Sequence, residues 1–203
     1  MKKYALILLT AVVALLCGCT GYREIERGYL VTAIGFSEDD NNFSITLEAI
    51  SSADAPDKPS ETITLQGKGK NFDDAFLILE KQLVKPLYFE HLGTVIISDT
   101  LDDTQIKSVI NFFQKLPSTN LGIYLVKTND IDALFNNETS SGVLGYDIIG
   151  LIKNFEKRNN IKLSNQLYEV NRNDLSEGVL NIPTANITDG KLQLASANGG
   201  HYG

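Results

Sequence analysis

The hydrophobic period changes once along this chain, and that change restricts the fold more than any other feature. Before Gln66 the apolar residues alternate. Phe43, Ile45, Leu47 and Ala49 fall on one side of an extended segment, and Ile63 and Leu65 repeat the pattern beyond a loop with Pro56 and Pro59. With Tyr29–Phe36, separated from Phe43–Ile50 by a polar turn over Ser37–Asn42, they predict an antiparallel meander with one face buried. From Asn71 the spacing becomes helical: Phe72, Ala75, Phe76, Leu79 and Leu83 share a face, Asn71 is placed to cap, and Pro86 is the stop. Leu92–Ile97 is then a continuous apolar run, Asp102–Leu116 aligns Ile106, Val109, Ile110 and Phe113, and Leu121–Val126 is apolar again. Strand, helix, strand predicts two parallel strands joined by a right-handed crossover. A further helix carries Ile148, Leu151, Ile152 and Phe155. The fold class expected is α+β: a mixed β-sheet, made of an antiparallel meander plus one β-α-β unit, with helices packed on it.

The amino-terminal segment obeys a different logic. Lys2 and Lys3 precede a stretch, Ala5–Leu16, that is apolar except for Thr10. Twelve residues are too few to cross a hydrocarbon core, which needs about 20, so a signal-peptide h-region fits better. Leu16-Cys17-Gly18-Cys19 resembles a bacterial lipobox, which makes residues 1–18 a lipoprotein signal peptide, Cys19 the lipid acceptor and 19–28 a lipidated tether. The alternatives are an ordinary secretory cleavage site, or a Cys17–Cys19 pair left from a buried segment. A disulfide framework fits least, because both cysteines of the chain lie here. Without Lys2 and Lys3, sixteen basic side chains face twenty-five acidic ones, a formal charge of −9. Anionic lipid and nucleic acid repel such a surface, so membrane attachment falls to diacylglyceryl and acyl chains on Cys19. The rest, about 180 residues, suits one domain with a small appendage, and 43% apolar content argues against disorder.

Chemistry is sparse. The two histidines, His91 and His201, have no second metal ligand at recognisable spacing. Gly67-Lys68-Gly69-Lys70-Asn71 lacks the Lys-Ser/Thr ending of a phosphate-binding loop, and reads as a strand-to-helix turn whose glycines supply unusual φ values. The pairs Asp39-Asp40, Asp73-Asp74 and Asp102-Asp103 fall in a turn or at helix starts, where carboxylates stabilise free N–H groups. Neither Gly-x-Ser-x-Gly nor Ser-x-x-Lys occurs beyond Cys19. The expectation is a non-enzymatic protein with no metal and no cofactor.

Two stretches go beyond pattern. GYREIERGYLVTAIGFSEDDNNFSITLEAI, just after the lipobox, and GKGKNFDDAFLILEKQLVKPLYFEHLGTVIISD resemble the two hallmarks of the C subunits of bacterial spore germinant receptors, the Ger(x)C lipoproteins. Cys19 matches that family's lipid acceptor. Tyr22, Arg23, Glu24 and Ile25 match the opening motif, and Gly67, Gly69, Tyr88, Phe89, His91 and Leu92 match the second. The resemblance implies an accessory subunit tethered to the outer face of the inner spore membrane, beside integral A and B type subunits, and engaged with no nucleic acid. Tyr22–Ile25 is a candidate partner interface or simply a solvated tether. The second set is expected to be structural, with His91 half-buried at a strand entrance and hydrogen-bonded to a backbone carbonyl. The resemblance covers residues 29–175 as the family's amino-terminal domain, with 176–203 as the start of a truncated or lost following domain and a disordered tail. The alternative function is a lipid-anchored extracytoplasmic solute-binding protein serving a transporter, which requires two lobes around a cleft.

Overall fold

A computed structural model describes residues 28–40, 42–51, 61–116, 122–163, 165–172, 182–195 and 201–202. Its strands are β1 (Tyr29–Asp39), β2 (Asn42–Ser51), β3 (Glu61–Gly69), β4 (Leu87–Tyr88), β5 (Thr94–Ser98), β6 (Tyr124–Thr128), β7 (Thr184–Thr188), β8 (Lys191–Ala195) and β9 (His201–Tyr202). The helices are α1 (Phe72–Glu80), α2 (Asp103–Lys115), α3 (Ile131–Phe135), α4 (Leu144–Asn159) and α5 (Leu167–Arg172). All nine strands join one mixed sheet in the order β3-β2-β1-β5-β6-β7-β8-β9, with β4 beside the first residues of β1. The α+β class is thus as the sequence indicates. The meander and the β-α-β unit meet at β1, which pairs antiparallel with β2 and parallel with β5. Beyond β6 the sheet continues through a parallel pairing with β7 and the β7–β8 hairpin, so residues 184–195 extend the same sheet. Asp189 and Gly190, at φ 51° and 71°, make that hairpin's turn, an Asp-Gly pair in the left-handed region that tight hairpins favour.

The helices are positioned by local chemistry. The Asn71 side chain accepts from the Asp74 amide at 2.8 Å. Asp102 accepts from Gln105 N while the Gln105 side chain accepts from Asp102 N, a reciprocal capping box. Helix α1 ends at Glu80, six residues before Pro86, because residues 81–83 pass into turns closed by the Gln82 N–Leu79 O and Leu83 N–Glu80 O bonds. Strand β5 begins at Thr94 rather than Leu92, whose amide closes a turn on Phe89 O. Strand β6 begins at Tyr124 rather than Leu121, which lies outside the described residues.

The meander differs from expectation in its burial. Residues 31–36 of β1 and 44–49 of β2 are buried without a break, on both faces. One face packs on α1 and α2, where Phe36 meets Phe72, Phe112 and Phe113 edge-on at centroid distances of 5.1, 5.5 and 5.6 Å. Each such pair contributes about 0.5–1.5 kcal/mol beyond area burial. The other face is covered by α3 and α4, which supply Ile131, Leu134, Phe135, Leu144, Ile148 and Ile152 to a second core cluster. Only β3 keeps the alternation of a half-buried strand.

Candidate functional site

The buried polar centre lies on the α4 face and begins with an irregularity in β1. Val31 pairs with Ala49 and Ala33 with Glu48, so Thr32 is the extra residue of a β-bulge. The bulge keeps Val31, Ile34 and Phe36 together in the core beneath α1 and α2, and sets the Thr32 hydroxyl beside the carboxylate of Glu48.

Glu48 is 5% exposed. It accepts hydrogen bonds from Leu144 N at 2.7 Å, from Gly145 N at 3.1 Å and from Thr32 Oγ1. Leu144 and Gly145 open α4, and Val143, the residue before them, has no side chain able to cap. Four amides at a helix start have no partner within the helix. Glu48, reaching from a strand 96 residues earlier, satisfies two of them and complements the positive end of the helix dipole. The approach is close enough to require glycine: a Cβ on Gly145 would lie 2.4 Å from Thr32 O. The Thr94 hydroxyl completes the junction by donating to Gly145 O at 3.1 Å. Every polar group here is committed to docking helix on sheet. The carboxylate offers its oxygens to two backbone donors and to the Thr32 hydroxyl, and Thr32 and Thr94 are themselves fully buried beside it.

A second polar group ties α5 down. Glu169, 8% exposed, accepts from Lys162 Nζ at 3.1 Å, Gln166 N at 3.2 Å and Tyr168 Oη at 3.2 Å. Burial pushes its carboxyl up, and these donors outweigh burial and hold it below its usual range. The bond to Glu169 correspondingly raises the Lys162 ammonium. A shallow cleft of about 470 Å³ lies against the outer side of α4 and the β7–β8 turn, lined by Asn137, Tyr146, Asp147 and Lys191 among others. Asp147 already accepts from Ser141 N. Among the described residues no group of three or more His, Cys, Asp and Glu could hold a metal, and no helix is long and apolar enough to cross a membrane.

The residues singled out from sequence separate into three groups. Gly67 and Gly69 have ordinary φ values, which corrects the reading of them as conformational turn residues. They lie within β3 under α1, where a Cβ on Gly67 would stand 2.2 Å from Ala75 O and one on Gly69 2.5 Å from Ala75 N. Close helix–strand packing demands them. Phe89 and Leu92 are buried, and the Tyr88 ring fills the space above Gly28. His91 is exposed in a turn and its ring has no hydrogen-bond partner among the described residues, so the half-buried, hydrogen-bonded histidine expected there is not found. Cys19, Tyr22, Arg23, Glu24 and Ile25 lie outside the described residues. Sequence reasoning missed Glu48, Thr32 and Gly145 altogether. The available signal was an acidic residue inside an apolar strand.

Residues 21–187 match the family model of the spore germination protein N-terminal domain, more than four-fifths of the chain. No curated protein and no solved structure matches it.

Proposed function

The chain belongs to the family of spore germination protein N-terminal domains, and on that premise we propose that it is a non-enzymatic, lipid-anchored accessory subunit of a nutrient germinant receptor. It stabilises or positions membrane-embedded A and B type subunits from the extracytoplasmic face of the membrane, the inner spore membrane in a spore. The observation that carries the reading is the family match over residues 21–187, which begins directly behind the Leu16–Cys19 lipobox. The chemistry of the fold supports it. The buried carboxylates, Glu48 and Glu169, are saturated by donors that dock α4 and α5, which suits a rigid spacer better than a reaction centre. The described strands form one sheet, whereas a solute-binding protein needs two lobes closing on a cleft. A formal charge of −9 after signal removal leaves attachment to acyl chains on Cys19. It also leaves Tyr22–Ile25, at the lipid end, as the first stretch able to meet a partner.

Purification from sporulating cells with the anchor intact tests this. Arg23→Glu with Glu24→Lys should reduce co-purification of the membrane-embedded subunits and slow nutrient germination. The matched control is Asp103→Lys with Lys107→Glu, two exposed positions on α2. Asp102 is unsuitable for that purpose because its side chain caps the helix. A folded, acylated tether variant that co-purifies at wild-type levels removes the docking role from this stretch.

A further inference from the structure

The strongest unexplained surface lies where the described chain begins. Helix α1 returns from the far end of β3 and delivers residues 81–86 beside the start of β1, where Tyr29 N donates to Pro86 O at 2.9 Å. Val84 at the tip of this turn is 88% exposed, the most exposed large apolar side chain among the described residues. Tyr29, at the start of β1, and Tyr88, four residues after Val84, are half-buried, with Lys85 Nζ 5.9 Å from the Tyr29 ring centroid and Lys81 exposed three residues before Val84. A single exposed valine is ordinary on a protein surface. One in a turn that also carries Lys81, Lys85 and Tyr88 and is tied through Pro86 O to Tyr29, at the end of the sheet from which the chain leads back to Cys19, is placed for an interface of lipid and water. Tyrosine rings prefer that depth, and lysine stems reach through it.

We propose that the 81–88 turn seats on the membrane surface, with Val84 entering the boundary between headgroups and acyl chains and Tyr29 and Tyr88 lying at headgroup level. The inference rests on Cys19 being the lipidated residue. Eight residues lie between Cys19 and Gly28, so whatever their conformation the nine Cα–Cα steps span at most about 32 Å, and the start of β1 stays near the bilayer. The attraction is apolar rather than electrostatic: exposed Glu80 and Glu90 offset Lys81 and Lys85, and the chain as a whole is acidic. Seating therefore does not depend on anionic lipid. It fixes the direction in which the sheet rises from the membrane, with Asp39, Asp40 and the start of α2 at the outer end.

Once Cys19 is acylated, Lys81→Cys creates the only free thiol of the mature chain. The full acylated protein, labelled there with an environment-sensitive fluorophore, is reconstituted in phosphatidylcholine vesicles with brominated acyl chains. Quenching at position 81 should exceed that of a label at Asp103→Cys by at least threefold. Adding Val84→Asp, at an exposed site where folding is undisturbed, should bring position 81 down to the level of position 103. Equal quenching at 81 and 103 in acylated protein overturns the seating. So does quenching at 81 that Val84→Asp leaves unchanged, since tether length alone would then explain it. A purified protein whose mass lacks acyl chains overturns the anchor reading and this inference with it.

Discussion

Removing the Glu48 carboxylate should release the start of α4 while leaving the rest of the sheet paired. In Glu48→Ala the Leu144 and Gly145 amides lose acceptors at 2.7 and 3.1 Å in a site that is 5% exposed. The Thr32 hydroxyl can turn to the backbone carbonyl of residue 48, 3.4 Å away, so the two orphaned amides set the cost. Each buried unsatisfied donor costs about 1–3 kcal/mol. Relief from no longer burying a carboxylate lowers the sum, and the expected net loss is about 2–4 kcal/mol. For a chain of this size that is a fall in Tm of about 5–15 °C. Glu48→Gln keeps one oxygen for Leu144 N but presents an NH₂ group to Gly145 N, and should cost about half as much. Hydrogen exchange localises the effect: the global loss alone speeds exchange about 30- to 700-fold, and the amides at 144 and 145 should exchange at least tenfold faster than that loss explains in Glu48→Ala, while those of Ile45 and Leu47 change only by the global loss. A Glu48→Ala protein melting within 2 °C of wild type, or one whose residue 144 and 145 amides stay protected, would refute the assignment of Glu48 as the remote cap.

The remaining expectations concern two glycines, one ion pair and the acyl acceptor. Gly67→Ala should lower stability by about 1–3 kcal/mol, since its Cβ meets Ala75 O at 2.2 Å and α1 must lift. Gly150→Ala, inside α4 with nothing within 4 Å of the added carbon, should raise it by about 0.5–1 kcal/mol, and chemical denaturation of the two variants decides between close packing and backbone flexibility as the reason for glycine. The Glu169 contribution should be present above the ordinary carboxylate value of 4.5 and be lost as pH falls through its lower folded value, so the Tm gap between wild type and Glu169→Gln should close in acid. Lys162 is raised, so the same gap should also narrow above pH 10.5 as the ammonium deprotonates, and a gap that stays constant from pH 3 to 11 contradicts the pairing. Cys19→Ala should leave an uncleaved precursor that takes up no labelled fatty acid, with Cys17→Ala labelled normally; equal labelling of Cys19→Ala sinks the anchor.

Interactions made within one turn are legible in this sequence, and those made across the fold are not. Asn71 and Asp102 cap helices whose amides lie three residues away, so residue type and position suffice to find them. The alternation of β2 identifies its core face correctly, but assigning the other face to water requires knowing what comes later. Helices α3 and α4, the latter beginning 96 residues after Glu48, cover that face and leave Ser44, Thr46 and Glu48 buried. Gly67 and Gly69 mislead for the same reason: a glycine beside a helix start suggests a turn, whereas the constraint is the backbone of α1 lying across β3. The Thr32 bulge is hidden too, because in the sequence it is only a threonine in an apolar strand. The remote cap did leave a trace in negative form. A helix of 16 residues that opens on Val143-Leu144 has no side chain of its own to receive its first amides, and if its start is buried some other segment must supply the acceptor. Among the strands flanking it, Glu48 is the acidic residue set in a strand interior rather than at an end, between Leu47 and Ala49. Reading those two anomalies as partners locates the junction that the apolar pattern alone conceals.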